Sequence, residues 1–437
     1  MTPAVGLVSL GCAKNRVDSE MILGTLRAAG YAIHSDPAKA SIIIVNTCGF
    51  IESAKQESID TILEMARYKQ SGQCELLIVT GCLAQRYGSE LREGLPEVDA
   101  FLGVNDYQSL LGVIDDASRG SRPLWRAGAP GLWRAPRVLT TPPYSAYVRI
   151  SDGCDNRCSY CAIPLIRGAY RSRPFEDIVE ECEALAGGGV TELTLIAQDS
   201  SRYGDDLPGG ERLLPKLLRR VAAIDALRWV RVLYTYPDSV DEVLLETIAA
   251  TSKVAKYLDI PLQHISARVL RDMNRRGSPE RIKRLISRCR QLGITIRTTM
   301  IVGFPGESAQ EFDELLDFVR WARFDRLGAF AYSPEEGTPA EVMPGQVDED
   351  IKQRRLDRLM RVQQAISLEA NRARTGEVYE VLVEGFEDFM YIGRSQREAP
   401  ESDGVIRFIA GRELSPGEYV KVRILDAQEY DLTGEMV

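Results

Sequence analysis

The chain has 437 residues, 44% of them hydrophobic, and 54 Lys and Arg against 63 Asp and Glu leave a formal charge of -9 at neutral pH. That length allows about three domains. No apolar run approaches the roughly 20 residues that span a bilayer, and the start Met1-Thr2-Pro3-Ala4-Val5 has no basic segment followed by an apolar one, so a cytoplasmic protein without a membrane partner is expected.

Three β-branched runs near the start each lead to a cysteine: Leu7 to Cys12, Ile43 to Cys48 and Ile78 to Cys82. Helical stretches from Asp18 to Ala29 and from Ser53 to Tyr68 lie between them, and this alternation predicts a small α/β domain with a parallel sheet over residues 1–115. The carboxyl ends of parallel strands share one edge, so three thiols from distant positions are expected to meet there. Residues 116–143 break the pattern: from Ala117 to Pro143 there are five Arg and five Pro without sustained periodicity, which reads as a linker wrapping a surface.

Alternation resumes with wider spacing over 144–373. Strands are expected at Tyr144 to Ile150, Glu192 to Ala197, Trp229 to Tyr234, Tyr257 to Pro261, Thr295 to Val302 and Leu327 to Tyr332. Helices such as Pro174 to Ala186 and Pro279 to Leu292 fall between them, predicting a partial (β/α)6 TIM-like barrel. Chemistry in such barrels gathers at the carboxyl ends of the strands, where Cys154, Gln198, Asp199, Gln263, His264 and Gly303 fall. A helix from Asp348 to Arg372 leads outward. Residues 374–437 are short β-rich runs, Val378 to Val383, Phe389 to Gly393, Val405 to Ile409 and Tyr419 to Leu425, which fit a small five-stranded antiparallel β-barrel of OB-like type. Seven basic against 14 acidic residues from Arg374 onward give this tail a net charge of 7 - 14 = -7. A nucleic-acid surface is normally basic, so the tail favours a basic protein partner or is simply a solvated acidic face.

Cysteine spacing carries the chemistry. Cys154, Cys158 and Cys161 form C-x3-C-x2-C directly after an apolar run, and the chain has only two histidines, His34 and His264. Three thiolates can hold three irons of a cubane and leave the fourth open to a small molecule, whereas an electron carrier normally closes its cluster with four. Zinc is the rival reading, but structural zinc takes four ligands. Cys12, Cys48 and Cys82 form a second candidate set, with strand-end core residues as the bland alternative. Cys74, Cys182 and Cys289 read as small buried hydrophobes, and His34 as a surface residue.

The Cys154 loop, with Tyr160 before its last cysteine, resembles the radical S-adenosylmethionine enzymes. There the open iron chelates the methionyl amine and carboxylate, and an electron cleaves the sulfonium to a 5'-deoxyadenosyl radical. A preceding three-cysteine domain and a trailing β-barrel make the chain similar to the methylthiotransferases. In that family the first domain carries an auxiliary 4Fe-4S cluster and the barrel is the TRAM substrate-recognition module. Ser9-Leu10-Gly11-Cys12-Ala13-Lys14-Asn15-Arg16-Val17-Asp18-Ser19-Glu20, Asn46-Thr47-Cys48-Gly49-Phe50-Ile51, Asp259-Ile260-Pro261-Leu262-Gln263-His264, Ile301-Val302-Gly303-Phe304-Pro305-Gly306-Glu307 and Gly328-Ala329-Phe330-Ala331-Tyr332-Ser333 resemble the protein-modifying branch.

That branch adds a methylthio group to the β carbon of an aspartate in the twelfth small-subunit ribosomal protein, free or in the ribosome. The alternative branch modifies an adenosine of transfer RNA. The resemblance implies two 4Fe-4S clusters, on Cys12, Cys48 and Cys82 and on Cys154, Cys158 and Cys161. It also implies two molecules of S-adenosylmethionine, a sulfur donor and an electron donor such as a flavodoxin or ferredoxin. A monomer whose primary substrate is not nucleic acid is expected. Tyr160 is read as stacking on the cofactor adenine or packing the loop, Gln198 and Gln263 as cofactor hydrogen-bonding groups or strand-end caps, and Gly303 as a close approach to the adenosyl group or a plain turn.

Overall fold

The computed structural model describes residues 3–126 and 135–437. The chain forms two compact units that do not follow chain order: one takes Met1–Pro142, Tyr147–Asp177 and Glu335–Thr338, the other Pro143–Ala146, Ile178–Pro334 and Pro339–Val437.

The first unit is built on six parallel strands, β1 (Ala4–Ser9), β2 (Ala32–Ile33), β3 (Ile42–Thr47), β4 (Leu76–Gly81), β5 (Ala100–Leu102) and β6 (Leu124–Trp125), in spatial order β2-β1-β3-β4-β5-β6. Every residue of β3 is buried, and its side chains alternate between two cores as the strand period of two requires. Ile42 and Ile44 join Ile22, Leu26 and Leu102 on one face; Ile43 and Val45 join Ile62, Val79 and Phe101 on the other. A strand covered on both faces has no polar side to show, which is why Ile42 to Val45 are all apolar and the polar residues Asn46 and Thr47 come only at the strand's end.

Two expectations shift. The helix expected from Asp18 begins at Ala13, with Cys12 as its N-cap residue, because Lys14, Asn15, Asp18 and Ser19 are buried polar residues that hide the first turn's apolar stripe. The stretch expected to be a linker wrapping a surface begins inside the helix Leu110–Ser118 and then supplies β6, which pairs Leu124 with Phe101 and Trp125 with Leu102. Two residues are too few to show a period. Farther on, Val138 N donates to the Glu20 carbonyl at 3.0 Å and Thr140 N to the Glu20 carboxylate at 2.8 Å, which ties this stretch to the first helix. The linker expectation for 127–134 lies outside the described residues.

Strand β7 (Ser145–Arg149) has Ser145 and Ala146 in the second unit and the rest in the first. Short strands β8 (Ser151–Asp152) and β9 (Arg171–Ser172) pair antiparallel within the first unit. In the second unit, β10 (Glu192–Ile196) pairs in parallel with β11 (Trp229–Val232). There β12 (Tyr257–Asp259), β13 (Thr295–Val302) and β14 (Arg326–Ala331) form a second parallel set. All six expected central strands are present. An isolated bridge, Val230 to Val254, joins β11 to the chain before β12, and Asp259 spans the rest of that seam. Its carboxylate accepts from Tyr234 N at 3.0 Å, and its carbonyl accepts from Thr235 N and Oγ1 at 2.9 and 2.6 Å.

After the helix Glu349–Arg372, strands β15 (Val378–Glu387), β16 (Met390–Arg394), β17 (Ile406–Ile409), β18 (Tyr419–Ala427) and β19 (Leu432–Met436) close a barrel in the order β15-β16-β17-β19-β18. The β17–β19 seam is parallel and the other pairings are antiparallel. The barrel is packed into the second unit. Tyr144, Trp229 and Leu382 share a core with Tyr419, whose ring meets Trp229 edge-on at 4.9 Å. Arg394 grips the Glu192 carboxylate with both guanidinium nitrogens, Nη1 to Oε1 at 2.8 Å, both side chains being almost fully buried. Part of the tail's acidity is internal: Glu384 pairs with Arg394, Glu398 with Arg326 and Arg374, and Asp403 accepts from the Tyr257 hydroxyl, while Glu380 pairs with Arg228 at the surface.

Glu398 gives a pH test. Burial opposes its ionisation, but Arg374, Arg326 and the Ser395 hydroxyl outweigh burial and pull the carboxyl down to about 2. A depressed carboxylate contributes stability that is present above its unfolded pKa and lost as pH falls through the folded value, about 3 kcal/mol here. In urea denaturation, the stability gap between the wild type and Glu398→Gln is expected to narrow steadily from pH 5 toward pH 2. A gap independent of pH would show that the charge contributes nothing.

Candidate active site

All six cysteines of the two sets lie in the first unit. Cys12 follows β1 at the N-terminus of the helix Ala13–Ala28, Cys48 follows β3, and Cys82 opens the helix Cys82–Gly94 directly after β4. The shared sheet edge expected from the strand pattern is where these residues stand. Close packing holds them there: a Cβ on Gly11 would lie 3.2 Å from Cys48 Sγ, and one on Gly49 would lie 2.8 Å from the Leu83 backbone. The approach at Gly49 leaves room for glycine alone, and Gly11 adds a left-handed backbone, φ 89°, that glycine adopts without strain. Cys48 is pinned by Ser58, whose Oγ accepts from Cys48 N at 3.0 Å and donates to its carbonyl at 2.9 Å.

Asn15 joins the three strand ends. Its Nδ2 donates to the Leu10 carbonyl at 3.1 Å, beyond β1, and to the Thr47 carbonyl at 2.9 Å, ending β3. Its Oδ1 accepts from Arg167 Nη2 at 2.8 Å and stands 3.5 Å from Cys82 Sγ. The same Arg167 nitrogen lies 3.7 Å from that sulfur. Burial pushes the Cys82 thiol up to about 12, against the pull of Arg167.

Arg167 comes from the other thiol set. The antiparallel pair β8 and β9 closes the base of the loop holding Cys154, Cys158 and Cys161, and Cys154 N donates to the Gly168 carbonyl at 3.1 Å and Cys161 N to the Cys158 carbonyl at 3.0 Å. All three thiols are partly exposed. Beneath them Arg149, Arg167, Asp18 and Asp152 are buried together. Arg167 pairs with Asp18 at 2.8 Å and Asp152 at 3.4 Å, and Arg149 pairs with Asp18 and, at 3.6 Å, with Asp152. Two cations against two anions make this network neutral, which a buried charge group requires. Sequence reasoning missed Asn15, Asp18, Arg149 and Arg167. Asn15 and Asp18 had a signal, polar residues on the first turns of a mostly buried helix, whereas Arg149 and Arg167 had none.

Among the described residues, no three His, Cys, Asp or Glu side chains are gathered to hold a single metal ion. One thiol set lies on a loop and the other at three strand ends.

The other predicted residues divide between the units. Tyr160 lies in the Cys154 loop of the first unit; Gln198, Gln263 and Gly303 follow β10, β12 and β13 in the second. Gln263 has left-handed backbone, φ 71°, and its buried Oε1 makes no hydrogen bond among the described residues. Gly303 also has φ 71°, and a Cβ there would strike Lys352 Cγ at 2.4 Å. Its N–H donates to Glu307 at 2.6 Å. Burial raises Glu307 to about 7 and depresses His264 to about 3, so the imidazole is neutral and accepts from Ser266 N at 2.9 Å.

Comparison with known proteins agrees with this geometry. Residues 4–103 match the uncharacterized protein family UPF0004, residues 148–319 the radical SAM superfamily and residues 375–437 the TRAM domain. Solved structures share the fold: the radical S-adenosylmethionine methyltransferase TsrM from Kitasatospora setae has a TM-score of 0.57 at 18% identity, over 78% of this chain and 77% of that one. The radical enzyme OxsB gives 0.51 at 13% identity, over 83% and 56%. The fold and the Cys154 loop thus define a radical S-adenosylmethionine enzyme, the class that uses that cofactor with a 4Fe-4S cluster.

Proteins called ribosomal protein uS12 methylthiotransferase RimO are far more similar. The one from Caldicellulosiruptor saccharolyticus is 50% identical over 440 residues, 99% of both chains, and the one from Geobacter sulfurreducens 48% identical over 441 residues, 99% of this chain and 98% of that one. This chain belongs to the RimO family of radical methylthiotransferases.

Proposed function

We propose that this protein places a methylthio group on the β carbon of one aspartate of ribosomal protein uS12. It would use two molecules of S-adenosylmethionine, a sulfur donor and an external electron donor such as a flavodoxin or ferredoxin. The reading rests on near-full-length identity of 48–50% to uS12 methylthiotransferases. Transfer RNA modification is not favoured by those relatives. The accompanying domain assignment is 1–115 for an amino-terminal domain, 116–143 for a linker, 144–373 for the radical domain and 374–437 for TRAM, in a monomer of the cytoplasm. No helix among the described residues is long and apolar enough to cross a membrane.

Cys154, Cys158 and Cys161 would hold the cluster that binds S-adenosylmethionine, and Cys12, Cys48 and Cys82 a second. Bound there, these groups supply the one-electron chemistry that opens an unactivated C–H bond and the sulfur that is transferred, chemistry beyond side-chain acids and bases. The protein's own residues position and shield. Gln263 offers a buried amide oxygen to the cofactor, Gln198 and Tyr160 are proposed contacts, and the Gly303 turn is held by Glu307 through backbone N–H bonds at Gly303 and Phe304. Neutral His264 adds no charge beside it.

Anaerobically reconstituted protein is expected to carry about eight irons, two cubanes of four. Replacing Cys154, Cys158 and Cys161 by alanine should leave about half, and loss of all the iron would refute two separate sites. For the substrate, mass spectrometry of uS12 after incubation should show a methylthio gain on aspartate, with transfer RNA as the control; a gain on transfer RNA alone refutes the assignment.

The tail's role calls for surface substitutions. Glu384 is engaged by Arg394 at 2.8 Å and does not face a partner freely, and deleting the barrel would strip Trp229 and Glu192 of their packing. Reversing the exposed Glu387 and Glu413 to lysine should slow uS12 binding about tenfold at low salt. The effect should shrink as salt shortens the screening length toward about 8 Å. Unchanged association rates would remove the tail from substrate docking.

A further inference from the structure

The two thiol sets are joined by a side chain with no role in the chemistry described so far. Arg167 ends the helix Ile163–Arg167, just beyond the Cys154 loop, and is 1% exposed. Its guanidinium divides its donors. Nη1 faces Asp152, two residues before Cys154; the two hydrogens of Nη2 are shared among Asp18, Asn15 Oδ1 and Cys82 Sγ at 2.8, 2.8 and 3.7 Å, so one of them is bifurcated. An arginine fork can hold several partners in fixed directions, which a lysine cannot. Asp18 and Asp152 are themselves held by Arg149, so Arg167 has little freedom to turn away from the sulfur.

We propose that Arg167 is a positioning residue that donates a hydrogen bond to the Cys82 sulfur when that sulfur is a cluster ligand, and thereby sets the reduction potential of the Cys12, Cys48 and Cys82 cluster from the loop of the other cluster. Hydrogen bonds to ligand sulfurs stabilise the more negative, reduced cluster and raise its potential. Asn15 supports the bond by fixing Arg167 Nη2 and, through the Leu10 and Thr47 carbonyls, the strand ends that bear Cys12 and Cys48. Replacing Arg167 removes the donor to sulfur; replacing Arg149 disturbs the same ion pairs without touching it.

This inference rests on the proposed second cluster, and its test separates the two. Redox titration of the reconstituted full-length enzyme, followed by electron paramagnetic resonance, should show two cluster signals. S-adenosylmethionine should alter only the signal of the Cys154 loop, which identifies the other. In Arg167→Lys, which keeps the charge, the unaltered signal should titrate to lower potential, with its reduced-to-oxidised ratio at fixed potential falling about tenfold for one lost charged hydrogen bond. Arg149→Lys should leave it in place.

An equal shift in both variants, or none in Arg167→Lys, overturns the direct bond. A single signal with half the iron overturns the second cluster and this inference with it. Should Arg167→Lys fail to fold, the wild type decides: nitrogen-15 arginine labelling should give a nuclear coupling to the reduced Cys12, Cys48 and Cys82 cluster in double-resonance spectra, and its absence refutes the bond.

Discussion

Replacing Cys12, Cys48 and Cys82 together by alanine is expected to abolish methylthio transfer to uS12 while reductive cleavage of S-adenosylmethionine continues. The two thiol sets have separate supports. The Cys154 loop is closed by β8 and β9 and by its own backbone bonds to Gly168 and Cys158, none of which uses the strand-end thiols. Losing Cys82 removes one acceptor from Arg167, but its pairs with Asp18 and Asp152 remain, so the loop keeps its footing. The measurement is 5'-deoxyadenosine by chromatography beside modified uS12 by mass spectrometry. Normal product from this variant would sink the sulfur-delivery role of the strand-end set, and loss of both products would mean that the sets do not act separately.

A second large effect is expected far from the thiols. Arg394→Met should destabilise the second unit by about 3–5 kcal/mol, because it leaves the Glu192 carboxylate buried without its bidentate partner. Arg231 is the remaining cation, 3.9 Å from Glu192, and Ser145 donates one hydrogen bond at 3.1 Å. Neither replaces two guanidinium donors. At roughly 2–4 °C per kcal/mol for a unit of this size, the melting temperature should fall about 10 °C. Adding Glu192→Leu should recover part of the loss, since it removes the stranded carboxylate while Arg231 and Glu384 remain without those partners. Thermal melts of the two variants decide it. A single variant as stable as the wild type would show that the pair does not hold the barrel in place, and a double variant no better than the single would show that packing, not the stranded charge, sets the cost.

The strands and the thiol sets were legible because their signals are local. A cysteine two residues past a β-branched run is visible in the run itself, and C-x3-C-x2-C is complete within eight residues. The barrel's last strand, Leu432–Met436, and the sheet's sixth, Leu124–Trp125, were not read from the sequence. The first is broken by a glycine and a glutamate, and the second is too short to have a period.

The supports of the site were hidden for a different reason. Asn15 and Arg167 are 152 positions apart and Arg394 and Glu192 are 202 apart, and a charged residue buried by a distant partner looks in sequence like any solvated one. Sequence by itself determined the alternation of elements, the exits where the six thiols stand and the family resemblance, since each depends on spacing along the chain. Only the tertiary structure decided that one buried arginine from the Cys154 loop reaches the Cys82 sulfur, and that acidic residues of the tail such as Glu384 and Glu398 are taken up by arginines within the second unit. Those facts depend on which polar groups lose water together, and desolvation is a property of the packed chain.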